Sequence, residues 1–92
     1  MFYQAIRLNP NADTLNDLGI DLAERGEVAA AIPLFQQAIR LQPNRDKFYH
    51  NLGLAYLKQG RIGEAREMFQ AALKKNPNNA GAQEMLDSLR DR

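Results

Sequence analysis

An all-α fold of antiparallel helix pairs stacked on one another is what this sequence predicts, and three observations carry the prediction. Residues 12 to 45 and 46 to 79 coincide without a gap, an offset of 34 residues. Within each unit, apolar and small residues recur three and four apart, the spacing of one helix face. Each helical run also meets a stop: Gly26 and then Pro43 in the first unit, Gly60 and then Pro77 in the second. A fixed period of this length, built from two helices, describes a unit that buries its apolar face only against neighbouring copies.

Taken in order, residues 1 to 10 read as the second helix of a partial unit, because FYQAIRLNPN at 2 to 11 aligns with FQQAIRLQPN at 35 to 44. Phe2 and Ala5 then lack the first helix on which they would pack. In the first full unit, Leu15, Leu18 and Leu22 share a helix face that ends at Gly26, a position where glycine takes the left-handed C-terminal conformation without steric cost. Ala31, Phe35, Ala38 and Ile39 mark its second helix. That helix ends before Pro43, since proline pushes the residue before it out of the α region. Pro33 falls within roughly the first turn and a half, where its missing N–H costs little and a slight kink is expected.

The unit at 46 to 79 repeats the plan, sharing Leu18 with Leu52, Gly19 with Gly53, Gly26 with Gly60, Ala31 with Ala65, Phe35 with Phe69, Ala38 with Ala72 and Pro43 with Pro77. The small residues let the paired backbones approach while Phe35 and Phe69 fill the gap beside them. Asn11, Asn44 and Asn78 follow their prolines where an N-cap is wanted. The connection from Pro10 to Leu18 is one residue shorter than the two later ones, so its junction is expected to differ. Residues 80 to 92 form a last helix of the first type. Met85, Leu86 and Leu89 cover the second unit, while Gln83, Asp87 and Arg90 take the places that would hold a following helix, making a solvating cap.

Composition narrows the chemistry. Twelve basic and eleven acidic residues are interspersed, for a net charge of +1, so no broad field favours nucleic acid or anionic lipid. There is no cysteine, which excludes thiolate catalysis and cysteine-ligated metal. No apolar run is long enough to span a membrane or form a signal-peptide core, and a soluble, cytoplasmic protein is the default reading. GRIGEA at 60 to 65 suggests a phosphate loop, but it lacks the Lys-Ser or Lys-Thr ending, and its counterpart GEVAAA keeps only the first glycine. Gly60 is therefore read as a helix stop. His50 is the only histidine, so no histidine-based metal set or triad can be assembled. Asp13, Asp17 and Asp21 lie four apart with Glu24 nearby, read as a solvated face with Asp13 favourable at the helix N-terminus. Arg40, Lys74 and Lys75 are helix C-terminal cations. Catalytic, cofactor-binding and metal-binding residues are all absent from this reading.

Leu-Gly, a leucine or tyrosine three residues on (Leu22, Tyr56), and then Gly, Ala, Phe, Ala and Pro at these offsets resemble the tetratricopeptide repeat, over nearly the whole chain. The departure is at the family's usual fourth-position aromatic, which is Leu15 in one unit and Tyr49 in the next. The resemblance implies a right-handed superhelix whose first-type helices line a concave groove, and a protein–protein interaction module or scaffold that binds a peptide or partner segment there. Carried over position by position, the groove residues are Asp13, Asn16, Asp17, Ile20 and Glu24, with Lys47, His50, Asn51, Leu54 and Lys58 on the next helix. Ile20 and Leu54 form an apolar floor between an acidic and a basic-to-neutral wall.

The same resemblance places Asp21 against the preceding repeat, where Arg7 or Tyr3 is the expected partner. The family's clamp for a C-terminal carboxylate is matched only at Asn51, since Asn16, Ile20, Gly81 and Met85 stand at its other places. An RNA reader of the pentatricopeptide kind is the alternative, disfavoured by its longer period and by the near-neutral charge. The open N-terminal end suggests a fragment of a longer array, or a homo-oligomer formed through Phe2, Tyr3 and Ile6.

Overall fold

Asn11 opens the first helix through its side chain, whose Oδ1 accepts from the backbone N–H of Asp13 at 2.8 Å and of Thr14 at 3.2 Å. From there a computed structural model describes residues 11 to 90. Among them are five α-helices and no strand: α1 (Ala12–Glu24), α2 (Val28–Leu41), α3 (Asp46–Lys58), α4 (Ile62–Lys75) and α5 (Ala80–Arg90). Every boundary of α3 and α4 falls 34 residues after its counterpart in α1 and α2: 12 to 46, 24 to 58, 28 to 62 and 41 to 75. The expected helix at residues 1 to 10 and the contact face of Phe2, Tyr3 and Ile6 lie outside the described residues.

Both first helices stop as the glycines predict. Gly26 has φ 90° and Gly60 has φ 76°, the left-handed region that a side chain would disfavour. The N–H of Glu27 then reaches the carbonyl of Leu22 at 2.8 Å, and that of Arg61 reaches Tyr56 at 2.9 Å. These bonds satisfy carbonyls that the helix end would otherwise leave open. Gly63 has open space around it, so nothing in the packing requires glycine there.

The expectation of three asparagine N-caps needs correction at two of them. The two later connections have one residue more, so α3 starts after Arg45 rather than Asn44, and Arg45 makes no side-chain cap bond. Before α5 the residue in the capping place is Asn79, not Asn78. Its Oδ1 accepts from the N–H of Ala82 at 2.9 Å. The shift follows from the spacing, since the residue that adjoins the helix is one position further from the proline.

Packing rests on two phenylalanines and the glycines that face them. Phe35 and Phe69 are buried, and a Cβ added to Gly19 or Gly53 would meet the corresponding ring at 2.6 or 2.7 Å. Glycine at these places thus makes room for an aromatic ring; a backbone merely drawn close does not account for it. Ala12 and Leu15, early in α1, share a buried cluster with Ala38, late in α2, and with Phe48 of α3. Gly19 meets Phe35 further along. The order is reversed between the two helices, so α1 and α2 run antiparallel. A larger cluster joins Ala31, Phe35, Leu52, Ala55, Tyr56, Ala65, Phe69 and Ala72 to Ala82 and Leu89 of α5.

The fourth-position difference between units has a local consequence. The Tyr49 hydroxyl donates to the carbonyl of Pro43 at 2.7 Å and tethers the turn before α3, whereas Leu15 is simply buried. In α5, Met85 and Leu86 pack partly against the larger cluster, as expected. Gln83, Asp87 and Arg90 are exposed and hydrogen-bond to one another through the Asp87 carboxylate. Pro33 lies on an exposed face of α2, and the helix runs through it.

Candidate functional site

The repeat offset sets equivalent residues of α1 and α3 beside one another. At the start of the two helices, Asp13 meets its repeat-mate Lys47 at 3.3 Å and Arg45 at 3.1 Å. The hydrogen bond from Lys47 holds the Asp13 carboxyl below its ordinary pKa, opposed by burial and aided by the Arg45 charge. One turn on, Asn16 is buried, and its Oδ1 accepts from the Asn51 side-chain N–H at 2.9 Å. A buried amide needs such a partner, and this bond stitches the two units together.

Beyond the asparagines the helices leave a cleft of about 240 Å³. Ile20, Ala23, Leu54 and Ala55 line it, with the Phe35 ring behind, Asn51 at one end and Glu24 and Lys58 at the other. Five of the ten residues predicted from sequence are therefore brought together: Ile20, Glu24, Asn51, Leu54 and Lys58. Asp13 and Lys47 form the ion pair at the far end, and Asn16 lies in the seam. Asp17 faces a separate hollow along α1, shared with Thr14, Leu18 and Asp21. Ala23, Ala55 and Phe35 were not expected in the groove from sequence. Ala23 was within reach, three residues from Ile20 on the same face, but Phe35 belongs to a second-type helix and could not be found from the first-type helices alone.

His50 has a different setting from the other nine. It is half-buried, its ring meets Phe69 edge-on at 5.6 Å between centroids, and a Cβ on Gly81 would lie 2.9 Å from its Cε1. Glycine at 81 thus admits the imidazole between α3, α4 and α5. The buried Nδ1 has no hydrogen-bond partner among the described residues. Burial lowers the His50 pKa from its ordinary value of 6.5, partly opposed by the nearby Asp46 carboxylate. Asp46 in turn accepts hydrogen bonds from the side chains of Asn76 and Asn79.

A histidine whose folded pKa is depressed binds its proton more readily when unfolded, so its contribution to stability is complete above the unfolded value and shrinks as pH falls through about 6.5 toward the folded value. Thermal melting should therefore drop between about pH 7 and about pH 5, before the carboxylates titrate, and His50→Asn should flatten that slope. An equal slope in the variant would show that another group is responsible.

The acidic series on α1 does not converge. Asp13 is engaged across the repeat, Asp21 pairs with Arg25, the residue that caps the end of α1, at 3.1 Å, and no group of three His, Asp or Glu among the described residues is arranged to hold a metal ion. Asp21 was expected to meet Arg7 or Tyr3; both lie outside the described residues, and its partner within them is Arg25. Among the described residues no helix is long and apolar enough to cross a membrane.

Residues 22 to 89 match a family model described as tetratricopeptide repeat. No curated protein matches the chain.

Proposed function

From the premise that this chain belongs to the tetratricopeptide repeat family, whose members are generally protein-interaction modules, we propose that it binds a peptide or partner segment along the face formed by α1 and α3. In this reading the helix pairs follow the family's right-handed superhelical turn, and α1 and α3 lie on its concave side. The observation that carries the proposal is the cleft between the repeat-mates Ile20 and Leu54. It is apolar at its floor, edged by charge, and wide enough for one aliphatic side chain of a partner. Apolar burial contributes most of the affinity, and rim charges set orientation and association rate. A 34-residue period and a net charge of +1 favour protein over RNA as the partner.

The test begins with peptides selected on the wild-type chain from a random display library. Burying one aliphatic side chain is worth roughly 1.5 to 3 kcal/mol. Ile20→Asp together with Leu54→Asp should therefore weaken the selected peptides by about 10- to 150-fold. Gln37→Asp and Gln70→Asp, on exposed positions of α2 and α4, should leave Kd within about twofold. Undiminished binding to the cleft variant by fluorescence anisotropy would move the site elsewhere.

A further inference from the structure

α1 and α3 carry the same charge arrangement twice, once closed and once open. At the start of the helices an acid on α1, Asp13, is paired with its repeat-mate on α3, Lys47. At their ends, from 13 to 24 and from 47 to 58, the acid Glu24 and its repeat-mate Lys58 occupy the corresponding places. Here neither side chain forms a salt bridge among the described residues, although both line the same cleft. The apolar floor made by Ile20 and Leu54, one turn before each, lies beside this open pair.

The position of Glu24 sharpens the point. It is the last residue of α1; the cation that follows it, Arg25 at the C-cap, is engaged with Asp21, so the Glu24 carboxylate faces the negative end of the helix dipole without a basic partner. An occupant's cation would relieve that repulsion. Lys58, at the same place on α3, is in its favourable location and keeps three donors for an anion.

Resting on the groove reading above, we infer that the cleft selects an amphoteric segment: an apolar side chain between Ile20 and Leu54, a basic side chain on Glu24 and an acidic one on Lys58. The open pair then acts as the polarity reader of the site. A segment with charges in the opposite placement meets like charge at both ends, and a uniformly charged segment meets it at one. Such repulsion discriminates between partners more than attraction adds to affinity. Each exposed pair changes affinity by no more than about fivefold, so the composition of what is selected is a sharper readout than any single Kd.

The experiment selects a random nine-residue peptide display library on the full chain and on four variants: Glu24→Lys, Lys58→Glu, the double exchange, and Ile20→Asp with Leu54→Asp. Wild-type selection is expected to enrich an aliphatic residue flanked by one basic and one acidic residue. Glu24→Lys should shift the enriched set toward acidic peptides and Lys58→Glu toward basic ones. The double exchange should restore mixed charge. Because a cation suits the end of α1, Glu24→Lys should melt no lower than the wild type, which separates a binding effect from a folding effect. An aliphatic enrichment whose charge composition is the same on all the exchange variants overturns the inference and leaves the groove reading intact. Enrichment on the wild type no greater than on the Ile20, Leu54 variant overturns the groove reading, and the inference with it.

Discussion

Phe69→Ala should remove about 3 to 5 kcal/mol of folding free energy. The ring is fully buried, fills the space that Gly53 leaves open, and presents its face or edge to α3 and to His50. Truncation loses both the transfer free energy of the ring and the contacts of the atoms around it. The site collapses poorly because its opposite wall is helix backbone at Gly53. A chain of this size is stabilised by roughly 5 to 14 kcal/mol in total, so the change takes a large share. Urea unfolding followed by circular dichroism should show a lower midpoint with little change in slope. A loss below about 1 kcal/mol would mean that the ring is not the keystone of the α3–α4 pair. Phe35→Ala should cost about as much by the same mechanism, and under the proposed groove reading it should also loosen peptide binding because Phe35 backs the cleft.

Ala72→Leu is the second large effect, and it acts by the opposite route. Ala72 is fully buried in the last turn of α4 and belongs to the cluster that joins α3, α4 and α5. With Ala72 wholly enclosed, three added heavy atoms should force the helices to separate or the side chain to leave its rotamer. Such overpacking costs roughly 1 to 3 kcal/mol, and more where the neighbours are backbone. Leucine is nearly as good a helix former as alanine, so propensity offsets almost none of the loss. The control is Ala30→Leu, on an exposed position of α2, which should change stability by less than about 0.5 kcal/mol. Equal melting temperatures for Ala72→Leu and the wild type would show that the helices can move apart freely.

The helices were legible because their signals are local. Leu15, Leu18 and Leu22 mark a face by spacing alone, and Gly26 and Gly60 mark ends because the left-handed conformation excludes most other residues. The N-caps were less legible. Asn44 and Asn78 look like caps in isolation, yet one extra residue in the connection hands that place to Arg45 and Asn79. For the site, Ile20, Glu24, Asn51, Leu54 and Lys58 were named through the family resemblance, but Ala23, Ala55 and the division of the ten residues into separate surroundings were not.

Sequence by itself determined the period, the two-helix unit, the glycine and proline stops and the recurrence of Gly19 as Gly53 and of Phe35 as Phe69, all of which depend on residues within one 34-residue unit or on its copy. Tertiary structure alone decided which polar groups meet: Asn16 with Asn51, Asp13 with Lys47 and Arg45, and His50 with the space above Gly81. Those contacts depend on the separation and rotation of whole helices. A shift of an ångström makes or breaks a hydrogen bond, while it leaves the helical periodicity that predicted the fold unchanged.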